Sequence, residues 1–362
     1  MVPNDLPRLT LVIDPRFSGG TSSAVAREIH ALASVCKLSV AAISSEHFKG
    51  TVVHPLIREA CEATHTSLTW DPAIVSADLV ALHNPSFLKF NRTFETRIVC
   101  DRLFVVCHEN FLRPDGPESF DVSHCLDLIS GQTLARKKYL SPVSGWNRQC
   151  AETWLLDRDA VWQIAPLDWT NICDFELIAP VTAPRDRRGR HSRPGMEKFP
   201  SSAQLGIMFP DTTESVRMLG ADSLLGAAHP AHWELLPFGA ETVDDFLRSI
   251  DFFVYFTHPF LQESFGRVIA EALAAGKVVI TSSATAATFG EGVIAAVPED
   301  VDAIIARLIA TPETYAQQAK RGYAVLEQFG AAAFRDRFAG LIAKTNPTLH
   351  GHFEKEPIYD FL

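Results

Sequence analysis

No apolar run in the 362 residues comes near the roughly 20 needed to cross a bilayer. The opening MVPNDLPRLT lacks the basic-then-apolar order of a secretory signal, so none is expected there. The seven cysteines (Cys36, Cys61, Cys100, Cys107, Cys125, Cys150 and Cys173) are scattered and form no C-x-x-C pair. A reduced, cytoplasmic protein that uses its thiols as small apolar residues is the expectation. Positive charge is also short: Lys+Arg 33 against Asp+Glu 43 gives a net −10, which argues against nucleic acid as a partner. No internal repeat or low-complexity tract stands out. What remains, with 47% hydrophobic and 21% charged residues, is a water-facing globular chain long enough for two domains.

The most informative stretch is SIDFFVYFTHPFLQESFGRVIAEALAAGKVVITSS, residues 249–283. Asp251 to Phe256 is a short aromatic and β-branched run that suits a buried parallel strand. A polar loop, Thr257 to Ser264, leads to Phe265, Val268, Ile269, Ala272 and Leu273, which fall at helical spacing. Gly276 ends that helix as a left-handed cap, and Lys277 to Thr281 reads as a second buried strand. The unit is βαβ, and its loop lies where open α/β sheets bind ligands, at the carboxyl ends of the strands. Backbone N–H groups of Ser264, Phe265 and Gly266 would point from the positive end of the helix dipole, and Gly266 would let a phosphate approach closely. Glu263 just before the helix and Glu271 two turns inside it are placed to take hydroxyls from a sugar and a ribose. The bland alternative is an ordinary amphipathic helix with Glu271 facing water.

Glu263-Ser-Phe-Gly-Arg-Val-Ile-Ala-Glu271-Ala-Leu-Ala-Ala-Gly276 resembles the signature of the retaining GT-B glycosyltransferases of the GT4 type (glycosyl transferases group 1). The resemblance implies an α/β fold of two Rossmann-like, doubly wound domains facing a central cleft. It implies that Glu263 contacts the donor sugar, that the backbone at Phe265-Gly266 meets phosphate and sugar, and that Glu271 holds the ribose hydroxyls.

From the N-terminus, Leu9 to Asp14 is a first strand, followed by Gly19-Gly20 and a helix with Val25, Ile29 and Leu32 inward. The glycine pair is either a tight turn or a phosphate-holding loop; the resemblance favours a place opposite the donor pyrophosphate. Leu38 to Ile43 is a second strand and Ala77 to Leu82 a third, running into His83-Asn84. Arg97 to Cys100 is a weaker strand. Leu103 to Cys107 is a stronger one and delivers His108. Each histidine is either a loop residue that caps its strand or a cleft residue. By resemblance His108 lies near the donor sugar and the reaction centre, and His83 and Asn84 are acceptor-side candidates. Residues from Asp115 read as a loop, Asn147 to Leu156 as a helix, and the proline-punctuated run Trp162 to Pro184 as the junction between domains.

Arg185 to Pro200, RDRRGRHSRPGMEKFP, reads as a loop of clustered guanidiniums. Arg190 and Lys198 suit a diphosphate there, and a solvated basic loop or a patch for anionic lipid headgroups are the alternatives. By resemblance these are the Gly-Arg and Lys that neutralise the donor diphosphate, although the family's apolar strand before the Gly-Arg is missing. Gln204 to Phe209, Ser215 to Leu219 and Trp233 to Leu236 read as further strands, and Pro237 to Ala240 as a turn that, by resemblance, faces the nucleobase. Thr281 to Glu291 reads as a loop, with helices at Val301 to Leu308, Pro312 to Phe329 and Ala331 to Ala343.

The expected division is therefore residues 1–176 as an acceptor-side domain, 177–335 as a nucleotide-sugar-binding domain, and 336–362 as a tail packing back on the first. The expected activity is a metal-independent, retaining transfer of a sugar from a UDP- or GDP-linked donor to a glycan or lipid-linked acceptor. No cofactor beyond that co-substrate is expected, and no D-x-D-type acidic cluster stands at a strand end. Bacterial surface polysaccharide or lipopolysaccharide synthesis is what the family implies; a cytoplasmic place is expected, and peripheral contact with the inner face of the membrane through the basic loop is left open. A nucleotide-sugar epimerase of the same fold, or a non-catalytic scaffold, is the competing reading.

Overall fold

The computed structural model describes residues 6–17, 20–156, 158, 161–226 and 228–345. Two all-parallel sheets carry the chain. The first comprises β1 (Arg8–Ile13), β2 (Lys37–Ala42), β3 (Ser67–Trp70), β4 (Ile74–His83), β5 (Arg97–Cys107), β6 (Thr133–Pro142) and β7 (Trp162–Ile164). The second comprises β8 (Arg187–His191), β9 (Ser215–Leu219), β10 (Trp233–Leu236), β11 (Phe252–Tyr255), β12 (Val278–Thr281) and β13 (Ile294–Ala295).

Their strand orders are β3-β2-β1-β4-β5-β6-β7 and β10-β9-β8-β11-β12-β13. Each reverses direction of growth once, between β1 and β4 and between β8 and β11. Those reversals open a crevice at the carboxyl ends of the strands. Buried residues such as Leu9, Leu79, Val105 and Val254 lie on strands whose two faces are both covered, which is why these strands read as continuous apolar runs. This is the two-Rossmann-domain architecture expected from the sequence.

The covering helices are α1 (Gly20–Leu32), α2 (Pro55–Thr64), α3 (Val122–Gly131) and α4 (Gly145–Leu155) on the first sheet. On the second they are α5 (Ser202–Met208), α6 (Val243–Ser249), α7 (Arg267–Ala274), α8 (Ser283–Ala286), α9 (Val301–Ala310) and α10 (Pro312–Glu327). The last helix, α11 (Ala331–Thr345), returns to the first sheet: Phe334 and Phe338 pack edge-on against Trp169, and Arg102 donates to the Ile342 carbonyl at 2.8 Å. Among the described residues no helix is long and apolar enough to cross a membrane.

Several local expectations change. Gln204 to Phe209 is helix α5, not a strand, because Ser201 and Gln204 form a reciprocal capping box at its start. The region after Asp115 is a loop only as far as Asp121, which caps α3 through the His124 N–H. Thr281 to Glu291 contains α8, capped by Ser282. Arg97 to Cys107 is one strand of 11 residues rather than two pieces.

Arg185 to Pro200 is not a loop throughout, because Arg187–His191 is a central strand of the second sheet. Its arginines are tolerated because each has partners. Arg187 donates to Asp251 at 2.9 and 2.7 Å, and Arg188 reaches Asp186 at 2.7 Å and the Met208 carbonyl at 2.6 Å.

Candidate active site

The residues expected on the donor side gather at the crevice between β8 and β11. Tyr255, the last residue of β11, is buried and donates its hydroxyl to Glu263 Oε1 at 2.6 Å. Lys198, in the one-turn segment after β8, donates from Nζ to the same oxygen at 2.6 Å. Oε1 is thus doubly engaged, while Oε2 takes neither bond. Burial alone would push the Glu263 carboxyl up, but the Lys198 charge and the bonds from Lys198 and Tyr255 prevail and hold it below its ordinary value. An ammonium has three donors, so Lys198 keeps two after serving Glu263.

Arg190 does not lie on a loop surface. It is fully buried on β8, donates to the Phe256 carbonyl at 2.6 Å and to the Lys198 carbonyl, and stacks against the rings of Phe199 and Tyr255. Burial lowers its pKa to about 10, which leaves it charged near neutrality. Its guanidinium therefore fastens the backbone that carries Lys198 rather than facing the crevice.

Gly266 precedes α7 with φ at 94°, a left-handed conformation, and a Cβ there would stand 3.2 Å from the Phe289 ring. Phe265 is buried edge-on against Phe289 and Phe329, which fixes the start of the helix. Glu271 accepts from Arg267 Nε at 2.8 Å and lies 3.7 Å from Nε2 of His191. Burial drives His191 down to about 3, so it meets Glu271 as a neutral ring. His191 was not picked out from the sequence, because the strand that buries it is held by partners far away in the chain.

Across the crevice stand the carboxyl ends of β4 and β5. His108 follows β5 and is half-buried. His83 is fully buried beneath it, with Nδ1 3.0 Å from His108 Nε2, so the His83 side chain offers no surface to an acceptor. Asn84 is buried too. It turns the chain in a left-handed conformation at φ 57° and accepts from Ser86 at 2.9 Å. Of the two expected glycines, Gly20 opens α1 and is exposed, whereas Gly19 lies outside the described residues.

The two halves touch directly. Asn110 Nδ2 donates to the Gln262 carbonyl at 2.9 Å, and Ser144 Oγ donates to the Ser264 carbonyl at 2.5 Å. These bonds grip both flanks of Glu263. Buried polar atoms without a hydrogen-bond partner among the described residues include Arg190 Nε, His191 Nε2 and Ser192 Oγ on and just after β8.

Residues 219–312 match the family described as glycosyl transferases group 1, a span that includes Glu263, Gly266 and Glu271. No curated protein sequence matches the chain. Among solved structures, HepE of Anabaena, crystallised with UDP and glucose, aligns at a TM-score of 0.62 and 14% identity over 93% of this chain and 99% of that one. A sucrose-phosphate synthase from Thermosynechococcus elongatus aligns at 0.57 and 14% over 93% and 98%. A glycosyltransferase of Rickettsia africae aligns at 0.52 and 12% over 95% and 100%. The fold is that of the GT-B glycosyltransferases.

Proposed function

We propose that the protein is a retaining glycosyltransferase that moves a sugar from a UDP- or GDP-linked donor to a glycan or lipid-linked acceptor. One observation carries the reading: Glu263, Lys198 and Tyr255 converge at the crevice of the second sheet, opposite His108 of the first. The matched family and the UDP- and glucose-bound neighbour support sugar transfer from a nucleotide sugar.

In this reading the start of α7 and the two remaining donors of Lys198 take the diphosphate, giving fixed positive charge where the leaving group develops its own. Glu263 Oε2 accepts from a donor-sugar hydroxyl, and Glu271 accepts from the ribose. Arg190 acts through Lys198 by holding its carbonyl. The turn Pro237 to Ala240, whose Phe238 is exposed and whose N–H is tied to Asp222 at 2.8 Å, faces the nucleobase. As the bond from the anomeric carbon to the phosphate oxygen breaks and the new glycosidic bond forms on the same face, the departing phosphate takes the acceptor's proton. No protein nucleophile is needed.

The test is thermal stability with UDP, GDP, ADP, CMP and dTDP, with and without EDTA. A ligand at 100 times its Kd stabilises by about 2.7 kcal/mol, a readable melting shift. One diphosphate should shift the transition regardless of EDTA, and Glu271→Ala and Lys198→Ala should abolish the shift. The absence of a shift with every nucleotide would overturn the proposal.

A further inference from the structure

Behind His108 lies a group of side chains that the donor site does not use. Glu28 sits on the inner face of α1, fully buried, with His83 and the Trp169 N–H as the polar groups that reach its carboxylate. Its Oε2 is 3.3 Å from Nε2 of His83. On the other side of that ring, His83 Nδ1 meets His108 Nε2 at 3.0 Å. The half-buried histidine of the crevice thus ends a three-residue line running into the core.

Two histidines and a carboxylate could suggest a divalent cation. One ligand atom from each lies within 4.8 Å of the others, but His83 already meets Glu28 through Nε2 and His108 through Nδ1, so a cation would have to displace a contact of that ring. A line of donors and acceptors conducts a tautomer preference instead.

We infer that Glu28, His83 and His108 form a buried hydrogen-bonded chain in which the proton on Glu28 sets whether His108 presents Nδ1 as a donor or as an acceptor. With Glu28 protonated, its O–H donates to His83 Nε2 and His83 Nδ1–H donates to His108 Nε2, so the His108 proton resides on Nδ1. With Glu28 ionised, His83 Nε2–H donates to the carboxylate and His108 Nε2–H donates to His83 Nδ1, which leaves Nδ1 of His108 bare. The two states differ by a single proton: one enters at His108 Nδ1 and one arrives at Glu28, and both rings stay neutral. Glu28 and His83 are positioning residues. Only what Nδ1 faces, the donor sugar, rests on the function proposed above.

The surroundings fit this scheme. Glu28 on α1 meets His83 from β4, His108 from the end of β5, and the Trp169 indole from beyond β7. Among the described residues no lysine or arginine is paired with it. Burial pushes the Glu28 carboxyl up to about 8, against the pull of the Trp169 N–H. Burial also drives His83 well below its ordinary value, with the neighbouring His108 adding to the effect, and lowers His108 to about 4. The rings therefore stay uncharged while Glu28 titrates.

The experiment is nitrogen NMR of the full chain with ¹⁵N-labelled histidine and no nucleotide, titrated from about pH 6 to about pH 9. The His108 signals are identified by their loss in His108→Gln. The expected result is a change of His108 from the Nδ1–H to the Nε2–H tautomer with a midpoint about 8, without imidazolium, and a single tautomer throughout in Glu28→Gln. A wild-type His108 that keeps one tautomer, or that titrates as imidazolium in this range, overturns the inference, and that titration decides even if Glu28→Gln does not fold. Nucleotide binding is not read here, so a failed donor assignment shows in the melting experiment and not in this one.

Discussion

At the residue scale the Lys198–Glu263–Tyr255 cluster separates stability from binding. Lys198 and Glu263 are only 10% and 15% exposed at the side chain, so removing the cation strands a buried carboxylate. Lys198→Ala should cost about 3–5 kcal/mol of folding stability and also abolish nucleotide affinity. Tyr255→Phe removes one of the two bonds to Oε1 and leaves the ion pair. It should lower kcat/KM by about tenfold, equivalent to about 1.4 kcal/mol, with nucleotide affinity nearly unchanged. Urea denaturation, nucleotide titration and steady-state kinetics on both variants check this pair of outcomes.

Buried titratable groups also fix a pH dependence. Glu28, raised to about 8, stabilises most below the ordinary carboxyl range, and its contribution is lost as pH rises toward that value. His108 and His191, lowered to about 4 and about 3, act in the opposite sense: their contributions grow as pH rises and are complete above the ordinary histidine value. From about pH 6.5 to about pH 8 the Glu28 decline is left alone among these groups. Melting temperature should therefore fall across that interval in the wild type and fall less in Glu28→Gln. Equal declines in the two proteins would count against this assignment.

At the element scale the two left-handed glycines flanking α7 have different tasks. A Cβ at Gly276, φ 70°, would stand 2.6 Å from the Ile178 carbonyl and 2.7 Å from the Tyr323 hydroxyl, a backbone clash with no relief. A Cβ at Gly266 meets side chains rather than backbone, the Phe289 edge at 3.2 Å and Ile269 at 3.4 Å, but narrows the approach to the helix start. Gly266→Ala should cost about 1–3 kcal/mol and weaken nucleotide binding disproportionately, whereas Gly276→Ala should damage stability more than affinity per folded molecule. Chemical denaturation beside nucleotide titration distinguishes them.

The segment β11–α7–β12 was legible in the sequence because every determinant is local: apolar runs, helical spacing and a capping glycine. Strand β8 was not. Four of its five residues are basic or imidazole-bearing, and what makes it a strand is distant: Asp251, the Met208 carbonyl and the Phe256 carbonyl. For the same reason Lys198 and Glu263 could be named as site candidates from a motif, but the inward turn of Arg190 could not. Glu28 left one faint mark, an acid at the spacing of the apolar face Val25, Ile29 and Leu32. Pairing it with His83 needs the sheet.

At the scale of the whole molecule, α11 belongs by sequence to the end of the chain and by packing to the first sheet. Phe338 is buried against Trp169, and Arg337 bonds the Thr170 hydroxyl. Phe338→Ala should cost about 3–5 kcal/mol in urea denaturation, as for other large buried aromatics. The chain thus passes between the two sheets twice, and the passes run side by side: the Cys173 N–H donates to the Phe329 carbonyl at 2.8 Å, and the Ala331 N–H donates to Asp174 Oδ1 at 3.0 Å. Two tethers bonded to each other are mechanically a single pivot. The domains are hung like a door on one short hinge, with the latch (Asn110 to Gln262 and Ser144 to Ser264) at the crevice. Opening for exchange of a bound molecule then means breaking the latch while the hinge holds, so the rate of exchange and the chemistry inside are governed by different residues.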